Sequence, residues 1–105
     1  LEIDSANDYL DVDTDLKIIS AADIILDPGG NQVLPGSDNA DDLGASGTRW
    51  RNVYTTDLQL SNVGTDGNDV DGTTGNWTMQ EGDDNIYLIN NLTGKKFKIT
   101  LEEII

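Results

Sequence analysis

The 105-residue chain predicts an all-β protein, an elongated and intertwined homotrimer of short strands in the manner of a β-prism or triple β-helix-like fibre, with a small C-terminal β-hairpin region. Three observations lead there. Apolar residues recur two positions apart, which is the strand period. Clusters of polar turn formers separate them, and no stretch has the length or the 3.6-residue spacing of a helix. The apolar content is also thin: 27 residues are Leu, Ile, Val or Phe, against 37 that are Gly, Asn or Asp. Ordering the chain costs roughly 150 kcal/mol of conformational entropy, at about 1.5 kcal/mol per residue. So small a core offsets that poorly in a lone chain, so the apolar residues are expected to be shared between copies.

Residues 1–36 form the first segment, a shaft of very short strands. The pairs Leu1 and Ile3, Leu10 and Val12, Leu16 and Ile18, and Ile24 and Leu26 mark them. Turns are expected at Ser5-Ala6-Asn7-Asp8 and at Asp27-Pro28-Gly29-Gly30-Asn31. The steps from Leu10 to Leu16 to Ile24 to Val33 are 6, 8 and 9 residues, a loose repeat rather than a strict one. Strands this short cannot build a wide sandwich. Three chains side by side need only one inward pair from each strand, with Asp and Asn facing water, and the product is a thin rod. The opposed reading is a monomeric antiparallel β-domain with poor packing, whose melting would not depend on concentration.

Residues 37–60 form a junction that leads into a strand at Asp57-Leu58-Gln59-Leu60. Gly44 and Gly47 permit a tight reversal, and the four-residue step from Trp50 to Tyr54 predicts both aromatics on one face of a helical turn. Arg49 or Arg51 is expected to pair with Asp41 or Asp42, and a guanidinium can stack on the Trp50 indole. A structural cap or trimer clamp made by Gly44, Arg49, Trp50 and Tyr54 is preferred over a sugar site. Residues 61–105 begin with a Gly-, Asp-, Asn- and Thr-rich loop to residue 76, followed by strands at Asn76–Gln80, Ile86–Ile89 and Lys96–Leu101. The last two flank Asn90-Asn91-Leu92-Thr93-Gly94-Lys95, so they predict a hairpin in which Gly94 supplies positive φ. Trp77 alternates with Met79, which predicts one buried strand face.

The junction carries a resemblance. Leu43-Gly44, Arg49-Trp50 and Tyr54, followed by a Leu-x-Leu strand and Ser61-Asn62, resemble the LG-x4-RW-x3-Y element of bacteriophage tail fibres and tailspikes. Tyr87-Leu88-Ile89-Asn90 and Thr93-Gly94-Lys95-Lys96-Phe97 resemble a terminal hairpin of such proteins. Together these cover under half of the chain. The resemblance implies a homotrimeric β-structured fibre on a virion, bound to other virion proteins and contacting a host surface glycan or protein. Many relatives of that kind continue into a self-cleaving chaperone domain, whereas this chain runs to Leu101-Glu102-Glu103-Ile104-Ile105. Tip, shaft and capsid fibre stay open as placements, and the start at Leu1 reads as a piece of a longer chain. The exposed aromatics Trp77, Tyr87 and Tyr9 are the candidate receptor contacts, since flat rings with polar edges suit sugars and protein surfaces alike. Packing between strands or subunits is the favoured role of Trp77 and Tyr87.

Composition excludes several other functions. A formal charge of −14, from 6 basic and 20 acidic side chains, argues against nucleic acid and anionic membranes. Lys95, Lys96 and Lys98, beside Glu102 and Glu103, do not make a basic patch. There is no Cys and no His, so disulfides, thiolate or His-bound metal, and Ser-His or Cys-His catalysis are absent. No apolar run reaches the roughly 20 residues of a membrane span, so no membrane insertion is expected. Asp11, Asp13 and Asp15 alternate and invite a calcium ion, which gives the alternative reading of a calcium-dependent acidic adhesin module, but a solvated outer face is preferred. The run Asp66-Gly67-Asn68-Asp69-Val70-Asp71-Gly72 fails the EF-hand register at Val70. Glycoside hydrolysis needs a sheltered carboxylic acid paired with a second carboxylate, and a narrow rod gives little shelter. The reading is therefore a non-enzyme without catalytic residues, metal or cofactor. A purely structural shaft or trimerisation module is its alternative.

Overall fold

A computed structural model describes Leu10 and residues 12–105. The expectations for Leu1, Ile3, Tyr9 and Asp11 lie outside the described residues. The chain divides into two compact units, Leu1–Leu43 and Gly44–Ile105.

The described part of the first unit has turns but no strand. Pro28 starts a reversal closed by a hydrogen bond from Asn31 N–H to the Pro28 carbonyl at 3.0 Å, with Asn31 at φ 65°. Ser20 accepts from Ala22 N–H and donates to the Asp23 carbonyl. The Asp41 carboxylate accepts from Gly36 N–H at 3.2 Å. The short strands expected at Leu16–Ile18 and Ile24–Leu26 are thus not formed among the described residues, and the one expected at Leu10–Val12 includes Asp11, outside them. A strand exists only against a hydrogen-bonded neighbour, and the described residues of this unit place none beside these segments. The two-residue rhythm nevertheless persists in exposure. Ile18 and Ile24 are 59% and 52% exposed, while their out-of-phase neighbours Ile19 and Ile25 reach 90% and 84%.

The second unit is an antiparallel four-stranded meander in the order β1-β2-β3-β4. The strands are β1 (Leu58–Ser61), β2 (Asn76–Glu81), β3 (Ile86–Asn90) and β4 (Lys96–Lys98). No helix is present among the described residues. The all-β class and the strands expected around Leu58–Leu60, Asn76–Gln80 and Ile86–Ile89 are borne out, and β4 stops at Lys98 rather than Leu101. One further bond, from Ile99 N–H to the Ile86 carbonyl at 2.9 Å, continues the ladder past it. The β3–β4 connection is closed by Gly94 N–H to the Asn90 carbonyl at 2.8 Å, and Gly94 has φ 76°, as the hairpin requires. A tighter turn joins β2 to β3 through Gly82 N–H and the Asn85 carbonyl, also 2.8 Å.

Register gives the sheet two unlike faces. Leu58, Met79, Leu88 and Phe97 stand directly opposite one another across the four strands, and Leu60 stands opposite Trp77. Glu81 pairs with Ile86, and Ile99 bonds the Ile86 backbone, so both continue this face. The other face carries Gln59, Thr78, Gln80, Tyr87, Ile89, Lys96 and Lys98. Neither face builds a core: no apolar residue is buried among the described residues, and Thr78, at 5% exposure, is the only residue that is.

Candidate functional site

The Gly44–Tyr54 junction was the first candidate. Ala45 and Thr48 exchange both backbone hydrogen bonds, at 3.1 and 3.2 Å, closing the expected tight reversal around Ser46-Gly47. Gly44 enters it at φ 87°, and a Cβ there would lie 3.3 Å from both Thr48 O and Trp50 Cδ1. Positive φ and the close indole both favour glycine. The helical turn expected over Trp50–Tyr54 is not formed: residues 50–54 have no helical hydrogen bonds, and Trp50 and Tyr54 are 63% and 92% exposed. Five residues containing Asn52, Val53 and two aromatics cannot offset the cost of helix nucleation. The expected partners of Arg49 and Arg51, Asp41 and Asp42, lie in the first unit. The junction is therefore an exposed ribbon hinged on a tight turn. A hollow of about 530 Å³ is lined by Gly47, Thr48, Arg49, Trp50 and Arg51.

The polar face of the sheet is held by a hydrogen-bonded cluster around Thr78 and a separate Gln80–Asp57 bond, which the sequence did not reveal. The Thr78 hydroxyl donates to Gln59 Oε1 at 2.7 Å and accepts from Asn91 Nδ2 at 2.9 Å. The same Asn91 amide donates to Asn76 Oδ1 at 2.9 Å. Gln80 Nε2 donates to Asp57 Oδ2 at 3.3 Å. Trp77 and Met79 are only half-buried, so the expected buried face of β2 is centred instead on Thr78 between them. The signal was the alternation of Asn76, Thr78 and Gln80, three polar residues on one face of a strand, whose partners Gln59 and Asn91 are far away in sequence.

Beyond β1, the segment from Asn62 to Gly75 organises itself through its own side chains. Asn62 ties its ends together: its backbone N–H donates to the Gly75 carbonyl at 3.2 Å, and its Oδ1 accepts from Gly75 N–H at 2.7 Å. Asn68 accepts from the N–H groups of Val70 and Asp71 and donates to the Thr73 carbonyl. The Asp71 carboxylate accepts from Thr73 N–H, the Thr73 hydroxyl and Asn68 Nδ2, and these three donors hold it below the ordinary aspartate range. No cluster of three potential metal ligands occurs among the described residues. The turn-rich loop expected here is present, and Asn62, Asn68, Asp71 and Thr73 bond to one another and to its backbone.

Of the two candidate receptor aromatics, Trp77 lies on the apolar face. Its ring is 5.8 Å from that of Phe97, tilted by 42°. It also borders a hollow of about 410 Å³ lined by Leu60, Ser61, Asn62, Asn68, Thr73, Thr74, Gly75 and Trp77. Tyr87 lies on the opposite face, 36% exposed, packed over Gly82 and accepting a long bond of 3.4 Å from Asn85 Nδ2. It shares a smaller hollow, about 280 Å³, with Gln80, Ile89 and Lys96. The two aromatics therefore cannot form one binding site on the sheet.

No protein family model, no curated protein and no solved structure matches the chain.

Proposed function

We propose that the chain is a non-enzymatic structural and adhesive segment of a bacteriophage tail fibre, assembled as an elongated homotrimer on the virion with other virion proteins and contributing to contact with the host-cell surface. The assembly rests on one observation: no described apolar residue is buried, yet they are arranged in phase in both units. Side chains such as Leu16, Ile24, Leu34, Leu60 and Phe97 contribute to stability only when something covers them. Copies of the same chain cover every segment at once. The non-enzymatic reading is supported by the carboxylates, since all those described are exposed except Asp57, which is half-buried. The virion placement rests on the likeness of Leu43-Gly44, Arg49-Trp50 and Tyr54 to the tail-fibre element.

The position of Trp77 against Phe97 favours a structural role for that ring, which leaves Tyr87 as the one of these two suited to an outside partner. Sedimentation equilibrium of the chain tests the assembly: a species of three chain masses is expected, and a monomer at every concentration would refute it. Binding of that trimer to a panel of bacterial cells and surface glycans separates an adhesive segment from a purely structural shaft or capsid-fibre module. Weakened binding in Tyr87→Ala with the trimer intact is the expected sign of adhesion.

A further inference from the structure

We infer that the apolar sheet face bearing Leu58, Leu60, Trp77, Met79, Leu88 and Phe97 is the surface on which a second copy of this chain seats, with an apolar side chain of that copy entering the hollow beside Leu60 and Trp77. This deepens the reading of the chain as a homo-oligomer and rests on it. Charge restricts the occupant first. Copies carrying −14 each repel one another, so close contact costs least where acidic side chains are few. Within the strands this face has a single charged residue, Glu81, at the end of β2, and Lys95, opposite Asn90, borders it. The opposite face carries Lys96 and Lys98, with Asp57 bonded to its Gln80.

The hollow restricts it further. The amides in its lining are already engaged: Asn62 bonds Gly75 and Thr73, and Asn68 bonds Val70, Asp71 and Thr73. No charged residue lines it, and Leu60, 50% exposed, stands there beside the half-buried Trp77. These two side chains give an apolar side chain its contact. Area points to a partner that reaches further than the sheet. Four strands of up to six residues present a face of ~400 Å², about half of the ~800 Å² that each partner contributes to a standard interface. A second copy supplies the remainder by covering the other exposed apolar residues, among them Val53, Tyr54 and Leu101.

The chain has no cysteine, so a single introduced thiol reports on its own position. Leu60→Cys and Lys96→Cys are made separately in the full chain, and thiol alkylation is timed across a concentration series with the mass followed by sedimentation. The expected result is a thiol at position 60 at least tenfold slower to react in the oligomer than after dilution, and a thiol at position 96 equally reactive throughout. An oligomer with a fully reactive thiol at position 60 overturns the assigned face but leaves self-association standing. A monomer at every concentration overturns both readings, and a protected thiol in that monomer shows the face covered by the chain's own apolar residues. Leu60→Met is the folding control and keeps the wild-type mass. Leu60→Glu is expected to lower the mass, whereas Gln59→Glu on the other face leaves it unchanged; equal masses for all three variants would also overturn the assignment.

Discussion

Thr78 is flanked in sequence by Trp77 and Met79, yet it is the hydroxyl and not the apolar pair that is shielded from water. Replacing it by Val keeps the shape and leaves Gln59 Oε1 and Asn91 Nδ2 without that partner. Thr78→Val is expected to destabilise the sheet by about 1–3 kcal/mol, read as a lower urea midpoint at unchanged slope. This residue was illegible in the sequence because alternation reveals which residues share a face, not which face will be covered. Two glycines make a second comparison. A Cβ on Gly67 would lie 2.1 Å from the Gly72 carbonyl oxygen, whereas at Gly64 it meets nothing within 4 Å, and both have positive φ. Gly64→Ala should therefore cost only the left-handed conformation, about 1–2 kcal/mol. Gly67→Ala should cost more and shift the amide resonances of Gly72 and Thr73. Asp71 carries the pH prediction. Donation by Thr73 N–H, the Thr73 hydroxyl and Asn68 holds its folded pKa below the ordinary 3.8. Its stabilisation is therefore complete above that value and is lost as the pH falls through the lower folded one. The gap in urea midpoint between wild type and Asp71→Asn should stay level from neutrality to about pH 4 and narrow below it; a gap still level at the lowest pH where the protein stays folded would show that the carboxylate is not coupled to folding.

Among the elements, β2 is paired on both sides and carries Thr78, while β4 is an edge of three residues with every side chain exposed. Amide exchange should follow that order. The β2 amides are expected to be the most protected of the sheet and those of β4 the least, and the reverse order would show that β4 pairs with a further strand. These four strands were legible because each has an apolar alternation and an in-chain neighbour, reached through a turn at Gly94 for β3–β4 and at Gly82 to Asn85 for β2–β3, and through the Asn62–Gly75 loop for β1–β2. The segments at Leu16–Ile18 and Ile24–Leu26 have the same alternation but no neighbour among the described residues, so periodicity alone predicted strands that are not formed there. Trp50 to Tyr54 failed for the opposite reason. A four-residue spacing was read as a helical turn in a stretch too short and too rich in Asn, Val and aromatics to nucleate one.

At the scale of the whole molecule, the proposed assembly is set by two opposed terms, uncovered apolar surface and a charge of −14 on every copy. Added salt weakens the second and leaves the first intact, since the Debye length falls from about 10 Å at 0.1 M to about 3 Å at 1 M. The melting temperature should therefore rise with sodium chloride and with protein concentration together. Independence from both would describe a self-sufficient monomer. The thin apolar content was the most legible property of the sequence, and exposure throughout the described residues agrees with it. The tail-fibre likeness remains a matter of Leu43, Gly44, Arg49, Trp50 and Tyr54. The stitch between Asn62 and Gly75 has a practical consequence, because it fixes the mouth of the loop independently of what lies inside. A foreign peptide spliced between Thr65 and Thr73 would leave β1 and β2 in register, so the proposed fibre would carry its cargo as many times over as it has copies.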